Sequence, residues 1–265
     1  MAETITLATY NANSVRARLP LIQKWLEEYE PDVLCLQETK VRDEDFPSDG
    51  FRDVGYHVVF RGQKSYNGVA IASKEELQDV SRKFRDDEFD EQARYLAGTF
   101  RGVRIVNTYV PQGRAIDSDK YQYKLKWLSY LKQHFADIAD DWERLVWMGD
   151  MNVAPDERDV SDADKKKKHV CFHKDARKAL HDIMDLGFSD VFRKHVEEGE
   201  HYTFWDYRVP NALKRGLGWR IDLILAMGEF ADKCKSVKIH RKYREMEKPS
   251  DHTFFCVHFE LNDGE

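Results

Sequence analysis

The feature that most constrains this chain is an apolar run that ends in a glycine, a carboxylate and an amide. Residues 145–148 read Leu-Val-Trp-Met, and Gly149-Asp150-Met151-Asn152 follows directly. A short apolar run of this kind predicts a buried strand. Buried strands present polar side chains to ligands at their carboxyl ends, and a glycine there lets another group approach the backbone closely. We therefore expect Asp150 and Asn152 to lie at a ligand site.

Two other segments repeat this arrangement. Residues 33–36 are apolar and run into Gln37-Glu38-Thr39-Lys40, while Ser250-Asp251-His252 precedes the apolar stretch 254–259. Each cluster taken alone is equally typical of a turn or of a solvated carboxylate. Taken together, acidic residues that are far apart in sequence and lie at predicted strand edges predict one metal site that handles phosphate.

One acidic residue lies inside an apolar strand pattern. Asp222 interrupts the run Arg220-Ile-Asp-Leu-Ile-Leu225. A carboxylate that is buried in a strand must be paired, because an unpaired buried charge is costly. A histidine is the natural partner, and His252 is the best candidate.

Length and composition predict one domain of a cytoplasmic protein. The chain has 265 residues, enough for one large α/β domain or two small ones, and no Pro/Gly/Ser-rich stretch divides it, so one domain over residues 1–265 is expected. With 34% charged residues and only short apolar runs, it is not expected to enter a membrane. Met1-Ala-Glu-Thr shows no secretory signal, and the four cysteines are scattered, as in reduced intracellular proteins.

The charge pattern is more informative than the total. A net charge of −6 argues mildly against a dedicated DNA-binding module. Basic residues nevertheless cluster in four places: at Arg114, Lys120, Lys124 and Lys126, at residues 165–168, at residues 214–215, and at residues 241–244. Any one cluster is equally typical of a solvated surface. Around an acidic site, the four clusters would form a basic rim that binds phosphates.

Apolar periodicity predicts two packed sheets flanked by helices. Helices are predicted over residues 20–29, 118–135 and 174–186, and the last one ends at Gly187. Strands are predicted over residues 4–10, 33–37, 57–60, 68–73, 93–100, 103–110, 145–148, 202–207, 220–226, 235–240 and 253–261. A polar loop is expected over residues 153–172. Because each half has a strand that ends in a polar cluster, we also expect pseudo-two-fold symmetry.

Eight short blocks along the chain carry a family resemblance. They are Tyr10-Asn11-Ala12-Asn13-Ser14, Leu36-Gln37-Glu38-Thr39-Lys40, Tyr66-Asn67-Gly68-Val69-Ala70, Tyr109-Val110-Pro111-Gln112-Gly113, Gly149-Asp150-Met151-Asn152, Thr203-Phe204-Trp205, Trp219-Arg220-Ile221-Asp222 and Pro249-Ser250-Asp251-His252. In this order and spacing the chain resembles the exonuclease-III-type abasic-site endonucleases of the endonuclease/exonuclease/phosphatase superfamily. The departures are small. Ala12 stands where valine is usual, Tyr10 where tryptophan or phenylalanine is common, and Ser14 where glycine is common.

The resemblance covers residues 5–261 and implies a fold and a metal site. The fold would be α/β, a four-layer α/β sandwich with two facing mixed, mostly antiparallel sheets flanked by helices. Glu38 would hold Mg²⁺, for which Mn²⁺ would substitute, because Mg²⁺ prefers hard oxygen ligands and takes one or two carboxylates. The residues expected to complete or orient the metal shell, or to touch the metal in some states, are Asn11, Asp150, Asn152, Asp251 and His252.

The resemblance also assigns catalytic roles. Asp150 would take the proton from the attacking water, and Asn152 would orient that water or a phosphate oxygen. His252, held by Asp222, would stabilise the charge on the phosphate. Tyr109 would lie near the leaving 3′-oxygen or the phosphate and stabilise the charge that develops there.

Substrate binding is expected from two groups of residues. Phe204, Trp219 and Ile221 would line a small apolar pocket for an extruded sugar without a base, although each is also typical of a hydrophobic core. Arg114 and the lysines from Lys120 to Lys126, Lys124 among them, would lie along the DNA backbone, where basic side chains add affinity without reading sequence.

Three functions remain open from the sequence. The first is a monomeric Mg²⁺-dependent enzyme that acts on double-stranded DNA. It would cut 5′ to abasic sites and also act as a 3′→5′ exonuclease and trim 3′ ends. The second is a related phosphodiesterase or phosphatase that acts on phospholipid or inositol phosphate. The third is a catalytically inactive DNA-binding module. The blocks 203–205 and 219–222 favour DNA, and every predicted catalytic position carries a competent residue.

Overall fold

Two six-stranded mixed sheets face each other in the computed structural model, which describes residues 3–83 and 91–261. The strands are β1 (Thr4–Asn11), β2 (Val33–Gln37), β3 (His57–Arg61), β4 (Val69–Ser73), β5 (Gln78–Ser81), β6 (Tyr95–Phe100), β7 (Val103–Tyr109), β8 (Leu145–Asp150), β9 (Phe188–Asp190), β10 (Asp222–Met227), β11 (Cys234–Ile239) and β12 (Phe255–Glu260). The helices are α1 (Val15–Tyr29), α2 (Ser48–Arg52), α3 (Asp119–Ile138), α4 (Ala163–Lys166), α5 (Lys174–Met184) and α6 (Val191–His195).

The two sheets are built on the same plan. The strand orders are β11-β12-β1-β2-β4-β3 and β5-β6-β7-β8-β10-β9. Each has one parallel pair in its middle, β1 with β2 and β7 with β8, and antiparallel neighbours on both sides. A parallel pair needs a crossover connection, which α1 and α3 supply. This arrangement agrees with the pseudo-two-fold symmetry that the sequence predicted.

Alternate residues of the central strands pack in different layers, which confirms the four-layer sandwich. Val146 and Met148 of β8 lie in the core between the sheets, whereas Leu145 and Trp147 lie in the core against α3 and α5. On the first sheet, Leu34 and Leu36 of β2 pack in the core that holds α1. Because both faces of β2 and β8 are covered, their sequences are almost continuously apolar.

Some predicted elements were wrong. Residues 202–207 do not form a strand, since Phe204 makes only isolated bridges to Trp219 and His252. The predicted helix 20–29 begins earlier, at Val15, so Pro20 lies inside it and not in its first turn. The predicted loop 153–172 contains α4 and a 3₁₀ turn over Glu157–Asp159. Within the described ranges, no helix is both long and apolar enough to cross a membrane.

Gly149 allows the close approach to its backbone that the sequence predicted. Its φ is +138°, and a Cβ atom at this position would lie 2.1 Å from the carbonyl oxygen of Thr108. The group that approaches Gly149 closely is therefore the neighbouring strand β7 and not a ligand. The absence of a side chain here allows β8 to remain in register with β7 up to the pair Tyr109–Asp150.

We predict that Gly149→Ala destabilises the fold more than Gly102→Ala. Gly102 also has a positive φ, of +74°, but no atom lies within 4 Å of its Cβ position. Gly102→Ala should cost about 1–2 kcal/mol for backbone strain alone, and Gly149→Ala about 3 kcal/mol or more because a clash is added. Urea denaturation at constant m-value measures both free energies. Equal losses in the two variants would contradict the close approach of Thr108.

Candidate active site

The carboxyl ends of both parallel pairs meet in one cluster. Asn11 ends β1, Glu38 follows β2, and Asp150 ends β8. The side-chain amide of Asn11 donates to Glu38 Oε1 and to Asp150 Oδ2, both at 2.8 Å. One amide therefore joins two carboxylates that belong to opposite sheets.

The backbone is in a rare conformation at two of these strand ends. Glu38 and Asn152 have φ values of +49° and +47°. Left-handed backbone costs free energy for residues other than glycine and is found at functional sites. The turn is held because Asp150 Oδ1 accepts from the backbone N–H of Asn152 at 2.8 Å, and the Asn152 side chain donates to the Val110 carbonyl at 2.9 Å.

His252 and Asp222 form the pair that the sequence predicted. Nδ1 of His252 lies 2.8 Å from Asp222 Oδ2, and Nε2 lies 3.7 Å from Asp150 Oδ2. All three residues are buried. Burial disfavours the charged imidazolium, but the carboxylates of Asp222 and Asp150 outweigh this effect and raise the pKa of His252.

The pKa values of Asp150 and Glu38 are shifted in opposite directions. Burial raises the pKa of Asp150, and the nearby charges of Asp222 and Glu38 raise it further, against the effect of His252. Burial acts in the same sense on Glu38, but the Lys40 ammonium at 2.7 Å and the Asn11 amide more than offset it, so the pKa of Glu38 is lowered. A carboxylate with a raised pKa suits proton transfer, and one with a lowered pKa suits cation binding.

The residues present fit a divalent cation. Glu38, Asp150 and His252 each offer a ligand atom, and these atoms lie within 4.8 Å of one another. The Lys40 ammonium already lies against Glu38, which shows that this position attracts positive charge. Asp251 borders the same cavity, but its carboxylate accepts from Asn13 at 3.0 Å and is not part of the three-residue group.

A cavity of about 450 Å³ opens onto this cluster. Phe204, Trp219 and Ile221 line it together with His252, and the Phe204 ring lies 4.8 Å from the His252 ring. Trp219 and Ile221 are also largely buried in the core, so they are both core residues and wall residues.

Two further residues lie against Trp219: His169, which the sequence did not single out, and Lys166, which it placed only in the basic cluster 165–168. The His169 ring is 4.6 Å from the Trp219 ring, and the Lys166 ammonium is 5.2 Å from it. Both residues also line the cavity that opens onto the cluster. Nothing in their local sequence pattern indicated this contact, because it depends on how the segment after β8 folds back.

A second cavity of about 720 Å³ adjoins the cluster and shares Glu38, Tyr109 and Gln112 with the first. Its basic lining residues are Lys40, Arg94, Arg114 and Lys120. The Arg94 guanidinium stacks on the Tyr109 ring at 4.7 Å. Burial and the Glu38 charge raise the pKa of Tyr109, so its hydroxyl remains protonated and can donate a hydrogen bond.

Lys124 does not lie where the sequence predicted. Its side chain is completely buried, and its ammonium donates to the carbonyl oxygens of Gln112, Asn152 and Val170. It therefore cannot contact a DNA backbone on the surface of α3. Arg114 and Lys120 are exposed, by contrast, and border the second cavity.

The comparisons with known proteins agree with this site. Residues 8–252 match the Endonuclease/Exonuclease/phosphatase family. The chain belongs to this family. It is 34% identical over 263 residues to exodeoxyribonuclease III of Haemophilus influenzae, with 95% of this chain and 98% of the relative covered.

Two solved structures of family members have the same fold. An AP endonuclease from Archaeoglobus fulgidus superposes with a TM-score of 0.94 at 49% identity, over 97% of this chain and 100% of the other. A 3′ phosphatase from Neisseria, solved with a product DNA hairpin, superposes with a TM-score of 0.94 at 37% identity, again over 97% of this chain and 100% of the other.

We predict that Asp222→Asn lowers the pKa of His252. The substitution keeps the size of the side chain but removes the nearest negative charge, so the imidazolium loses stabilisation and the pKa should fall by about 1–3 pH units. NMR titration of the His252 ring in EDTA measures this, and the resonances of the remote His57 serve as an internal control. An unchanged His252 titration would contradict the pairing.

Proposed function

We propose that this chain is a Mg²⁺-dependent DNA repair nuclease that cuts the phosphodiester bond 5′ to abasic sites and removes nucleotides or blocking groups from 3′ ends. The observation that supports this best is that a cavity with one wall formed by Phe204, Trp219 and Ile221 opens directly onto the Glu38–Asp150–His252 cluster. The names of the relatives, an exodeoxyribonuclease III, an AP endonuclease and a 3′ phosphatase, describe these activities in similar chains.

Glu38 is the proposed principal metal ligand, with Asn11 and Asp251 beside it. A divalent cation bound there would supply positive charge to a phosphate oxygen and stabilise the charge of the transition state. Glu38 suits this role because its lowered pKa keeps it ionised. Asp150, Asn152 and His252 stay as predicted contacts of the metal, and Mg²⁺ with Mn²⁺ as its substitute stays the predicted ion.

The proton transfers are assigned to this chain's own residues. Asp150 accepts the proton from the attacking water, whose oxygen forms a new bond to phosphorus while the bond to the leaving 3′-oxygen breaks. Asn152 orients the water or a phosphate oxygen. His252 donates to a phosphate oxygen through Nε2, since its Nδ1 is held by Asp222. Tyr109, kept protonated, donates to the leaving oxygen.

Selectivity is proposed to come from the first cavity, and DNA affinity from the second. Extruding a nucleotide costs least where the base is already missing, so a pocket walled by Phe204, Trp219 and Ile221 favours an abasic sugar. Arg114 and Lys120 at the second cavity would contact the DNA backbone without reading sequence. A monomeric state and a cytoplasmic location stay predictions.

The two alternatives have less support. A phospholipid or inositol phosphate enzyme would share Glu38, Asp150 and His252, but the relatives found for this chain are DNA enzymes by name. An inactive DNA-binding module is disfavoured because the predicted catalytic side chains are assembled with hydrogen-bond geometry across both sheets.

We predict Mg²⁺-dependent cleavage of a duplex that contains one abasic site. The purified protein should cut the strand 5′ to the site with Mg²⁺ and should not cut it in EDTA. Glu38→Ala should lose most activity at low Mg²⁺ and regain part of it at high Mg²⁺, whereas Asp150→Asn should lose about 10²–10⁴-fold at every Mg²⁺ concentration. Denaturing gel electrophoresis resolves the product. Full cleavage in EDTA would exclude the proposal, and hydrolysis of inositol phosphates in place of DNA would favour the alternative.

We predict that Trp219→Ala reduces the ratio of abasic to intact DNA cleavage. The extruded sugar loses the wall that holds it near Asp150, so abasic cleavage should slow while intact nucleotides are rejected less well. Lys120→Met is the contrasting variant, and it should weaken binding of both duplexes equally and reduce the salt dependence. If Trp219→Ala leaves the ratio unchanged and Lys120→Met alters it, the pocket assignment is wrong.

A further inference from the structure

Lys124 of α3 is a buried lysine whose ammonium donates to backbone carbonyls. Its side chain is completely inaccessible to solvent. The ammonium donates to Asn152 at 2.7 Å, to Val170 at 2.9 Å and to Gln112 at 3.2 Å. A lysine ammonium has three N–H donors, and here three carbonyl oxygens receive them. Burying a charge is costly. A completely buried lysine is therefore expected only where its hydrogen bonds hold polar groups in positions that an apolar side chain could not maintain.

The three carbonyls belong to three separate segments around the site. Gln112 follows β7 and borders both cavities. Asn152 follows β8 and is in the left-handed conformation described above. Val170 lies before α5, next to Cys171, which lines the first cavity and whose thiol lies 3.8 Å from Asn152 Oδ1. One ammonium therefore connects the segments that carry Tyr109, Asp150 and the cavity wall.

We propose that Lys124 is a positioning residue for phosphodiester cleavage, and that it acts by holding the Asp150–Asn152 turn in its left-handed form. The inference rests on the proposed nuclease function. The backbone N–H of Asn152 donates to the Asp150 carboxylate, its side-chain amide donates to the Val110 carbonyl, and its own carbonyl accepts from the Lys124 ammonium. Each contact fixes a different part of the residue. Without the ammonium, the carbonyl is free to rotate, and the turn can relax toward ordinary backbone.

The position of Lys124 also predicts which reactions depend on it. Asn152 and Asp150 serve every cleavage at this site, whereas Trp219 serves only substrates with an extruded sugar. Loss of Lys124 should therefore slow abasic-site cleavage and 3′-end trimming by the same factor. It should leave DNA affinity nearly unchanged, because the ammonium does not reach the surface.

The test compares Lys124→Met with Lys120→Met in the full chain. Each substitution removes one positive charge from the N-terminal part of α3. Lys120 is exposed, whereas Lys124 is buried. Lys124→Met should lower kcat about 10²-fold with KM and salt dependence unchanged, since small misplacement of reacting groups costs rate and not binding. Lys120→Met should raise KM and reduce the salt dependence. Rates are expressed per folded molecule, with circular dichroism and denaturation giving the folded fraction, so that loss of folded protein does not count as loss of kcat.

A chemical rescue keeps the test decisive if Lys124→Met folds poorly. Lys124→Ala leaves a cavity that methylammonium or ethylammonium can enter and hydrogen-bond, whereas tetramethylammonium has no N–H donors. Recovery of kcat with the primary amines alone, at equal ionic strength, supports the proposal. Equal response to all three ions, or a kcat of Lys124→Met that stays within about threefold of the parent, overturns it. Failure of the parent protein to cut abasic DNA would instead reject the proposed function.

Discussion

The structure depends on keeping three carboxylates close together, of which Asp150 and Asp222 are buried and Glu38 is partly exposed. Like charges at such distances repel strongly in a medium of low dielectric constant. Each one is compensated by a different partner: Lys40 on Glu38, His252 between Asp222 and Asp150, and the Asn11 amide between Glu38 and Asp150. Loss of Lys40 or His252 would leave an uncompensated carboxylate charge, and loss of Asn11 would remove the hydrogen-bond donor that Glu38 and Asp150 share.

This requirement explains why the site lies at the ends of two sheets. The Asn11 bridge to Asp150 joins the two sheets at their ends. Between the sheets, apolar side chains such as Val146 and Met148 pack beside buried Asn107 of β7, which hydrogen-bonds to β2 and β4. The apolar packing fixes the distance between the sheets, and the strand register fixes Tyr109 and Asp222 beside Asp150. The polar cluster is therefore positioned by the hydrophobic core and needs no flexible loop to assemble it, which favours preorganised catalysis.

The sequence predicts the members of this cluster because strand ends have a clear pattern. Apolar runs that stop at a polar residue identified Glu38 and Asp150, and the cost of a buried charge identified the pairing of Asp222 with His252. The same reasoning failed at residues 202–207, whose apolar and aromatic pattern resembles a strand although only isolated bridges form. Periodicity reports burial, and it cannot report whether a partner strand is available.

Sequence patterns do not predict the buried cations of the site, because a lysine or arginine is normally predicted to lie at the solvent-exposed surface. Arg220 is completely buried and binds Asp159 and Asp190 with four hydrogen bonds of 2.6–3.1 Å. Its charge is paired with carboxylates, which offsets the cost of burying it and holds the segment that carries Trp219 and Ile221. The hydrogen bonds of the Lys124 ammonium, by contrast, go to uncharged peptide carbonyls. A buried ammonium that is bound only by carbonyls contributes less to folding stability than an ion pair. Of the two buried cations, Lys124 is therefore the one whose presence is better explained by a contribution to catalysis.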